Sequence, residues 1–149
     1  MSKTEYVVGF LFNGDYNVAL IEKNRPAWQR GRWNGIGGHV EPNEKPLDAM
    51  RREFCEEAGL DLETWEQYCT VYYTDAVIHF FRAFVGSPHI ETKTDENVFW
   101  IPFDKLTDNV IPNLHWLIPM ALYHDATMQS VEWVCGNPDM EASSQYISK

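Results

Sequence analysis

The sequence predicts an α/β protein of the mixed α+β kind, with one mixed β-sheet packed between helices. Three observations carry that reading. Strand-like and helix-like segments interleave, but without the strand–helix–strand regularity that builds a purely parallel sheet. The 149 residues contain no internal repeat and no Pro/Gly/Ser-rich linker, so a single domain is expected over 1–135, followed by a weakly ordered tail at 136–149. The composition is 44% hydrophobic and 14% aromatic, enough for one sizeable core.

Each element has a local reason. "TEYVVGFLF" (4–12) is apolar and aromatic in the manner of a strand, and "NGD" (13–15) supplies turn chemistry before a second strand, "NVALIEK". Residues 24–35, "NRPAWQRGRWNG", read as a loop, and "IGGHVE" is brief and Gly-rich, so the backbone there must bend or approach something closely. Pro46 suits a first helical position, and "LDAMRREFCEEA" runs helically to Gly59, which suits the left-handed residue that ends a helix. Leu47, Met50, Phe54 and Ala58 make its apolar stripe. "WEQYCTVYYT" and "AVIHFFRAFVG" read as strands joined near Asp75, and "VFWI" as a further short strand. A second helix is expected after Asn113, which can cap it, with Pro119 limiting its first turns. "SVEWVC" reads as a last strand.

Charge narrows the function. A net charge of −10 argues against nucleic acid or an anionic membrane as partner. It permits a polyanionic small substrate if divalent cations sit between the two sets of negative charge. No apolar run approaches the roughly 20 residues that span a bilayer. Cys55, Cys69 and Cys135 are scattered, with no CxxC spacing, which reads as reduced thiols in a cytoplasmic compartment.

Carboxylates are concentrated in "GGHVEPNEKPLDAMRREFCEEAGL", residues 37–60. On a helix, Glu53, Glu56 and Glu57 share a face, at the edge of the apolar stripe. Like charges so placed repel, whereas Mg²⁺ takes carboxylate oxygens and bridges to phosphates. A solvated acidic face is the alternative. Gly38, Glu44, Arg52, Glu53, Glu56, Glu57 and Gly59, with apolar Phe54 and Leu60, stand at fixed spacings. A random window matches that pattern roughly once in 10⁹.

With these residues the chain resembles the Nudix hydrolase family. The resemblance implies an α/β/α sandwich with a mixed sheet and a loop–helix–loop, and cleavage of a diphosphate linked to another moiety with Mg²⁺, for which Mn²⁺ substitutes. It implies that Glu53, Glu56 and Glu57 hold metal, helped by the Gly38 carbonyl, and that Glu56 or Glu57 deprotonates water. Arg52 would orient these carboxylates, Glu44 would brace the loop, and Glu96 would join the metal from a later loop. The approach "RGRWNGIGGHVE" is similar to MutT-type enzymes that hydrolyse oxidised purine nucleoside triphosphates such as 8-oxo-dGTP. His39 stands where many of these carry Lys.

Substrate contacts follow from the same resemblance. Lys23, Arg25, Arg30 and Arg32 precede the motif and could hold phosphates, with Lys23 and Arg25 better placed after a strand. Asn34 and Asn113 could read a purine edge, and Trp28 could stack on it. The alternative for Asn113 is a helix cap, and for Trp28 a loop cover. The chain has Pro112-Asn113 where some oxidised-purine enzymes carry paired aspartates. ADP-ribose and dinucleoside polyphosphates are rival substrates, and a non-catalytic nucleotide sensor is the rival class. The absence of proline between Pro46 and Pro88 and the placing of Tyr72 and Tyr73 weaken the first two, and retention of every motif glutamate weakens the third. A monomer or homodimer is expected.

Overall fold

The computed structural model describes residues 3–123 and 129–132. Eight strands, β1 Thr4–Phe12, β2 Asn17–Glu22, β3 Trp33–Asn34, β4 Ile36–His39, β5 Glu66–Tyr72, β6 Ala76–Phe84, β7 Val98–Pro102 and β8 Gln129–Glu132, form one mixed sheet with helices α1 Pro46–Ala58 and α2 Leu114–Leu122. Its order is β3-β2-β1-β6-β5-β8, with β4 added on β1 and β7 on β2. The expected 136–149 tail and Cys135 lie outside the described residues.

β1 is the trunk. Along one edge it pairs in parallel with β6 from Thr4–Ala76 to Phe12–Phe84. Its other edge is shared: β4 runs antiparallel to Tyr6–Gly9, and β2 takes over at Phe12. The sheet therefore forks, and the gap between β4 and β2 opens beside the glycine-rich motif.

Period-two alternation on β1 sorts the core into two layers. Val7 and Leu11 join Ala49, Met50, Phe54 and Ala58 of α1, while Val8, Phe10 and Phe12 join Leu114, Leu117, Ile118 and Ala121 of α2. Each buried Phe or Met contributes about 1.5–3 kcal/mol by leaving water. The helices thus cover opposite faces, as an α/β/α sandwich requires.

α1 starts with Pro46 and stops at Gly59, whose φ of 77° is left-handed and whose N–H donates to the Cys55 carbonyl. Three sequence expectations are corrected. The 24–35 loop contains a 3-10 turn at Ala27–Gln29 and strand β3, while the close approach expected of "IGGHVE" is found, on strand β4. Its glycines lowered the apparent strand propensity, yet a Cβ on Gly37 would overlap the Val7 carbonyl, so only glycine fits this close pairing. Leu47 is exposed and Ala49 takes its place in the core. Asn113 precedes α2, but its side chain makes no capping bond; its carbonyl accepts from Leu117 N at 3.0 Å instead. Pro119 lies inside α2.

Gly9 sets how closely α1 approaches. A Cβ there would lie 2.6 Å from Met50 Cε and 2.9 Å from Trp65 Cζ3. Met50 can shift, but the Trp65 ring is held against Phe54 with centroids 5.1 Å apart. Gly9→Ala is expected to cost about 1–3 kcal/mol by overpacking, measured by urea unfolding. A change below about 0.5 kcal/mol, the range of a neutral surface substitution, would show that α1 does not rest on this glycine.

Candidate active site

The acidic motif is assembled by three backbone devices. β4 brings Gly37 and Gly38 alongside β1, α1 carries the glutamates, and the intervening loop folds back through Glu44. Glu44 accepts from Glu41 N at 2.9 Å and from Arg52 Nε and Nη2 at 2.9 and 3.0 Å. Arg52 also donates to the His39 carbonyl at 2.9 Å, to Glu53 at 3.0 Å and to Glu56 at 3.4 Å. One guanidinium thus ties strand, loop and helix together. Its bond draws the Glu44 carboxyl below the usual carboxylate range, and the Arg52 pKa rises in return, chiefly through that same bond.

The three helix carboxylates are not equivalent. Glu56 is exposed. Glu57 follows Met50 by seven residues and Phe54 by three and is half-buried, so it lies at the edge of the buried face, as the spacing predicts. Burial pushes its carboxyl up to about 8, opposed by Lys23 and reinforced by Glu53, Glu96 and Glu56. Its Oε2 is buried with no hydrogen-bond partner among the described residues. Burial also raises Glu53, and the Arg52 bond partly offsets this.

These donors fit a hard divalent cation. Every candidate is an oxygen, one buried carboxylate oxygen lacks a partner, and a Cβ on Gly38 would meet the Glu53 carboxylate at about 2.5 Å. Glycine at 38 therefore leaves room where the strand backbone and the carboxylate converge. Among the described residues, however, no three acidic or other metal-binding side chains already stand in a closed group.

Beside Gly38 lies a cleft of about 240 Å³. Tyr6 and Val8 of β1, Lys23, Arg25, Gln29, Asn34 and His39 help to line it. The structure thus brings Lys23, Arg25 and Asn34 together with Gly38. Asn34 is buried; its Nδ2 donates to Gln29 Oε1 at 3.1 Å and its Oδ1 accepts from Gly35 N at 2.7 Å. The Tyr6 and His39 rings lie 4.5 Å apart at 44°.

Other candidates fall elsewhere. Trp28 packs against the α2-side core and Asn113 stands before α2; neither lines the cleft. The Asn113 side chain hydrogen-bonds the Tyr73 hydroxyl, whose pKa burial pushes up to about 12, while Asn113 Oδ1 stays buried without a partner among the described residues. Arg30 is exposed, and Arg32 donates to the Asp108 and Val110 carbonyls at 3.3 and 3.0 Å, which commits it to holding a loop. Glu96 reaches the site but accepts from Lys23 Nζ at 3.1 Å and Asn24 N at 2.6 Å. Sequence reasoning missed Gln29 and Tyr6. Gln29 is a polar residue in a loop that looked solvated, and Tyr6 sits in a strand that looked purely structural.

Comparison with known proteins bears on the family and the fold. Residues 3–120 match the NUDIX domain family. A mouse protein named oxidized purine nucleoside triphosphate hydrolase is 35% identical over 71 residues, covering 48% of this chain and 40% of that one. The zebrafish protein of the same name is 31% identical over 96 residues, covering 58% and 60%. The matched stretches span 40% and 60% of these relatives, less than two thirds of either. A MutT hydrolase structure from Burkholderia pseudomallei superposes with a TM-score of 0.70 at 22% identity, covering 80% of this chain and 98% of that one. The NUDIX domain of Shewanella oneidensis NrtR, solved with ADP ribose, gives 0.71 at 19% identity, covering 81% and 87%. Both show the fold. No described helix is long and apolar enough to cross a membrane.

Glu57 offers a stability test free of turnover. Its folded pKa is raised to about 8 from an ordinary 4.5, so the stability it contributes is fully present below pH 4.5 and is lost as the pH rises through 8. In EDTA, Glu57→Gln should therefore gain in melting temperature relative to the native protein as the pH goes from about 5 to about 9. A difference constant across that range would contradict the burial assigned to Glu57.

Proposed function

The chain belongs to the NUDIX domain family, that of the Nudix hydrolases, and from that premise we propose that it cleaves a purine nucleoside triphosphate, oxidised purines such as 8-oxo-dGTP included, to a nucleoside monophosphate and pyrophosphate. The observation that carries this is one cleft that joins the Gly38 strand of the acidic motif to two cations, Lys23 and Arg25, and to a buried amide, Asn34. Phosphate recognition and the Asn34 contact to the base thus share one opening, with Asn113 and Trp28 outside it. The oxidised-purine names of the mouse and zebrafish relatives support the base class.

Glu53, Glu56, Glu57 and the Gly38 carbonyl would hold Mg²⁺, or Mn²⁺ in its place. When bound, the cation neutralises phosphate oxygens and lowers the pKa of water. The remaining work belongs to side chains. Arg52 keeps the motif carboxylates oriented, and a carboxylate of the Glu56–Glu57 pair takes the proton of the attacking water. Lys23 and Arg25 bind phosphate oxygens and align the chain for in-line attack on the β-phosphorus. Asn34 meets the base, and Asn113 Oδ1, buried and unpartnered among the described residues, supplies an acceptor for a purine N–H donor. Trp28, which packs against the α2-side core outside the cleft, would have to offer its ring to the base from there. The reaction needs no nucleic acid or membrane partner.

Glu56→Gln and Glu57→Gln remove charge without volume, and each is expected to lower kcat about 100-fold or more at saturating Mg²⁺, read by phosphate release coupled to pyrophosphatase. Near-native turnover in both would sink the assignment. Hydrolysis in ¹⁸O-water should label the pyrophosphate; label confined to the monophosphate would place attack at the α-phosphorus.

A further inference from the structure

Within residues 22–33 Gln29 alone is buried, at 1% exposure. An amide so placed needs partners for its polar atoms. Its backbone is committed to the 3-10 turn: the N–H donates to the Pro26 carbonyl at 2.9 Å, and the carbonyl accepts from Arg32 N at 2.8 Å. Its Oε1 accepts from Asn34 Nδ2 at 3.1 Å. Nε2 is left. No bond to it is found among the described residues, and it does not belong to the polar atoms sealed from solvent without a partner. Because Gln29 lines the cleft, the Nε2 donors open into that space.

A relay fixes the polarity of this amide. The Gly35 backbone N–H can only donate, so the atom it meets at 2.7 Å is Asn34 Oδ1. That turns Asn34 Nδ2 toward Gln29, and Nδ2 also can only donate. Gln29 answers with Oε1, which leaves Nε2 for the cleft. Flipping either amide would set donor against donor in a buried place, the costly case for a hydrogen-bonding group. One backbone peptide thus dictates, through two side chains, that Gln29 shows the cleft donors only.

Tyr6 and Val8 give the cleft apolar walls, and Lys23 and Arg25 give it cations. The cations serve an anion, whereas a neutral buried donor beside apolar walls matches a neutral acceptor on a flat ring. We propose that Gln29 is a specificity-determining residue whose Nε2 donates to a ring carbonyl of the bound base, so that oxopurines are taken in preference to aminopurines. The proposal rests on the nucleotide-hydrolysing reading for the nature of the ligand. An amine in place of the carbonyl would bring donor to donor, and Gln29 cannot turn over to accept it without breaking the relay. The carbonyl belongs to C6 or to C8 of the purine, two sources that the choice of ligands separates.

Calorimetry in Mg²⁺, without turnover, compares AMP with inosine monophosphate, which carries a C6 carbonyl, and with 8-oxo-AMP, which adds a C8 carbonyl to adenine. At least one oxo-nucleotide should bind the native protein about tenfold more tightly than AMP, and the one that does so identifies the carbonyl. Gln29→Met removes the amide at nearly constant length and should shrink that preference to within about twofold, with pyrophosphate bound as before. Asn34→Asp should turn the preference toward AMP, because the aspartate accepts from Nε2 and leaves Oε1 for the cleft; it tests the relay even if the methionine variant does not fold. No preference in the native protein, a preference kept in either variant, or pyrophosphate weakened by Gln29→Met as much as the nucleotides would overturn the proposal. Hydrolysis of nucleoside triphosphates without the preference would remove the role of Gln29 and leave the reaction standing. The preference without hydrolysis would do the reverse.

Discussion

The Arg52 guanidinium spends its donors on Glu44, Glu53, Glu56 and the His39 carbonyl, and this arrangement governs how closely like charges can be gathered. It compensates the loop carboxylate fully and Glu53 in part. It makes no bond to Glu57, which is half-buried and keeps one carboxylate oxygen buried without a partner among the described residues. Repulsion along a helix face costs only tenths of a kcal/mol per pair in water. Burial makes it far more expensive, and Glu57 responds by holding a proton near neutrality. The helix carries a charge deficit that the protein's own cations do not fill.

The sheet exists in a form that delivers this helix face to a cleft. β1 divides its second edge between β4 and β2, so the glycine strand and the Lys23–Arg25 segment end up on either side of one opening. Three glycines make the approach possible for three different reasons. Gly9 admits the Met50 and Trp65 side chains, Gly37 admits the Val7 carbonyl, and Gly38 admits the Glu53 carboxylate. Two of these neighbours belong to α1 or its support, so the fold's closest contacts and the site's closest contacts are the same contacts.

Much of this was legible in the sequence. Pro46 and Gly59 bracket α1 because each has a backbone preference independent of its surroundings, and the mixed sheet followed from strands interleaved with two helices. The glutamates were legible as a cluster because helical spacing is fixed. What was not legible depended on long-range pairing. β4 has little strand propensity and becomes a strand through β1. That Glu57 keeps one oxygen buried while Glu56 is exposed depends on how the helix edge meets the sheet, and Leu47, read as core, is exposed. The partnership of Glu96 with Lys23 spans 73 residues of chain, a contact no local pattern encodes. Asn34 was found from its setting in "RWNG", whereas Gln29, its hydrogen-bond partner, carried no comparable signal.

On the proposed function, the uncompensated carboxylates of α1 would take a divalent cation, with Glu57 giving up its proton as the cation binds. The direct measurement is calorimetry of Mg²⁺ or Mn²⁺ binding in buffers of different ionisation enthalpy, which counts protons released. With Glu57 raised to about 8, binding at pH 7 should release close to one proton, and the release should vanish above about pH 9. Binding at pH 7 with no proton released, or no binding at all, would contradict the account.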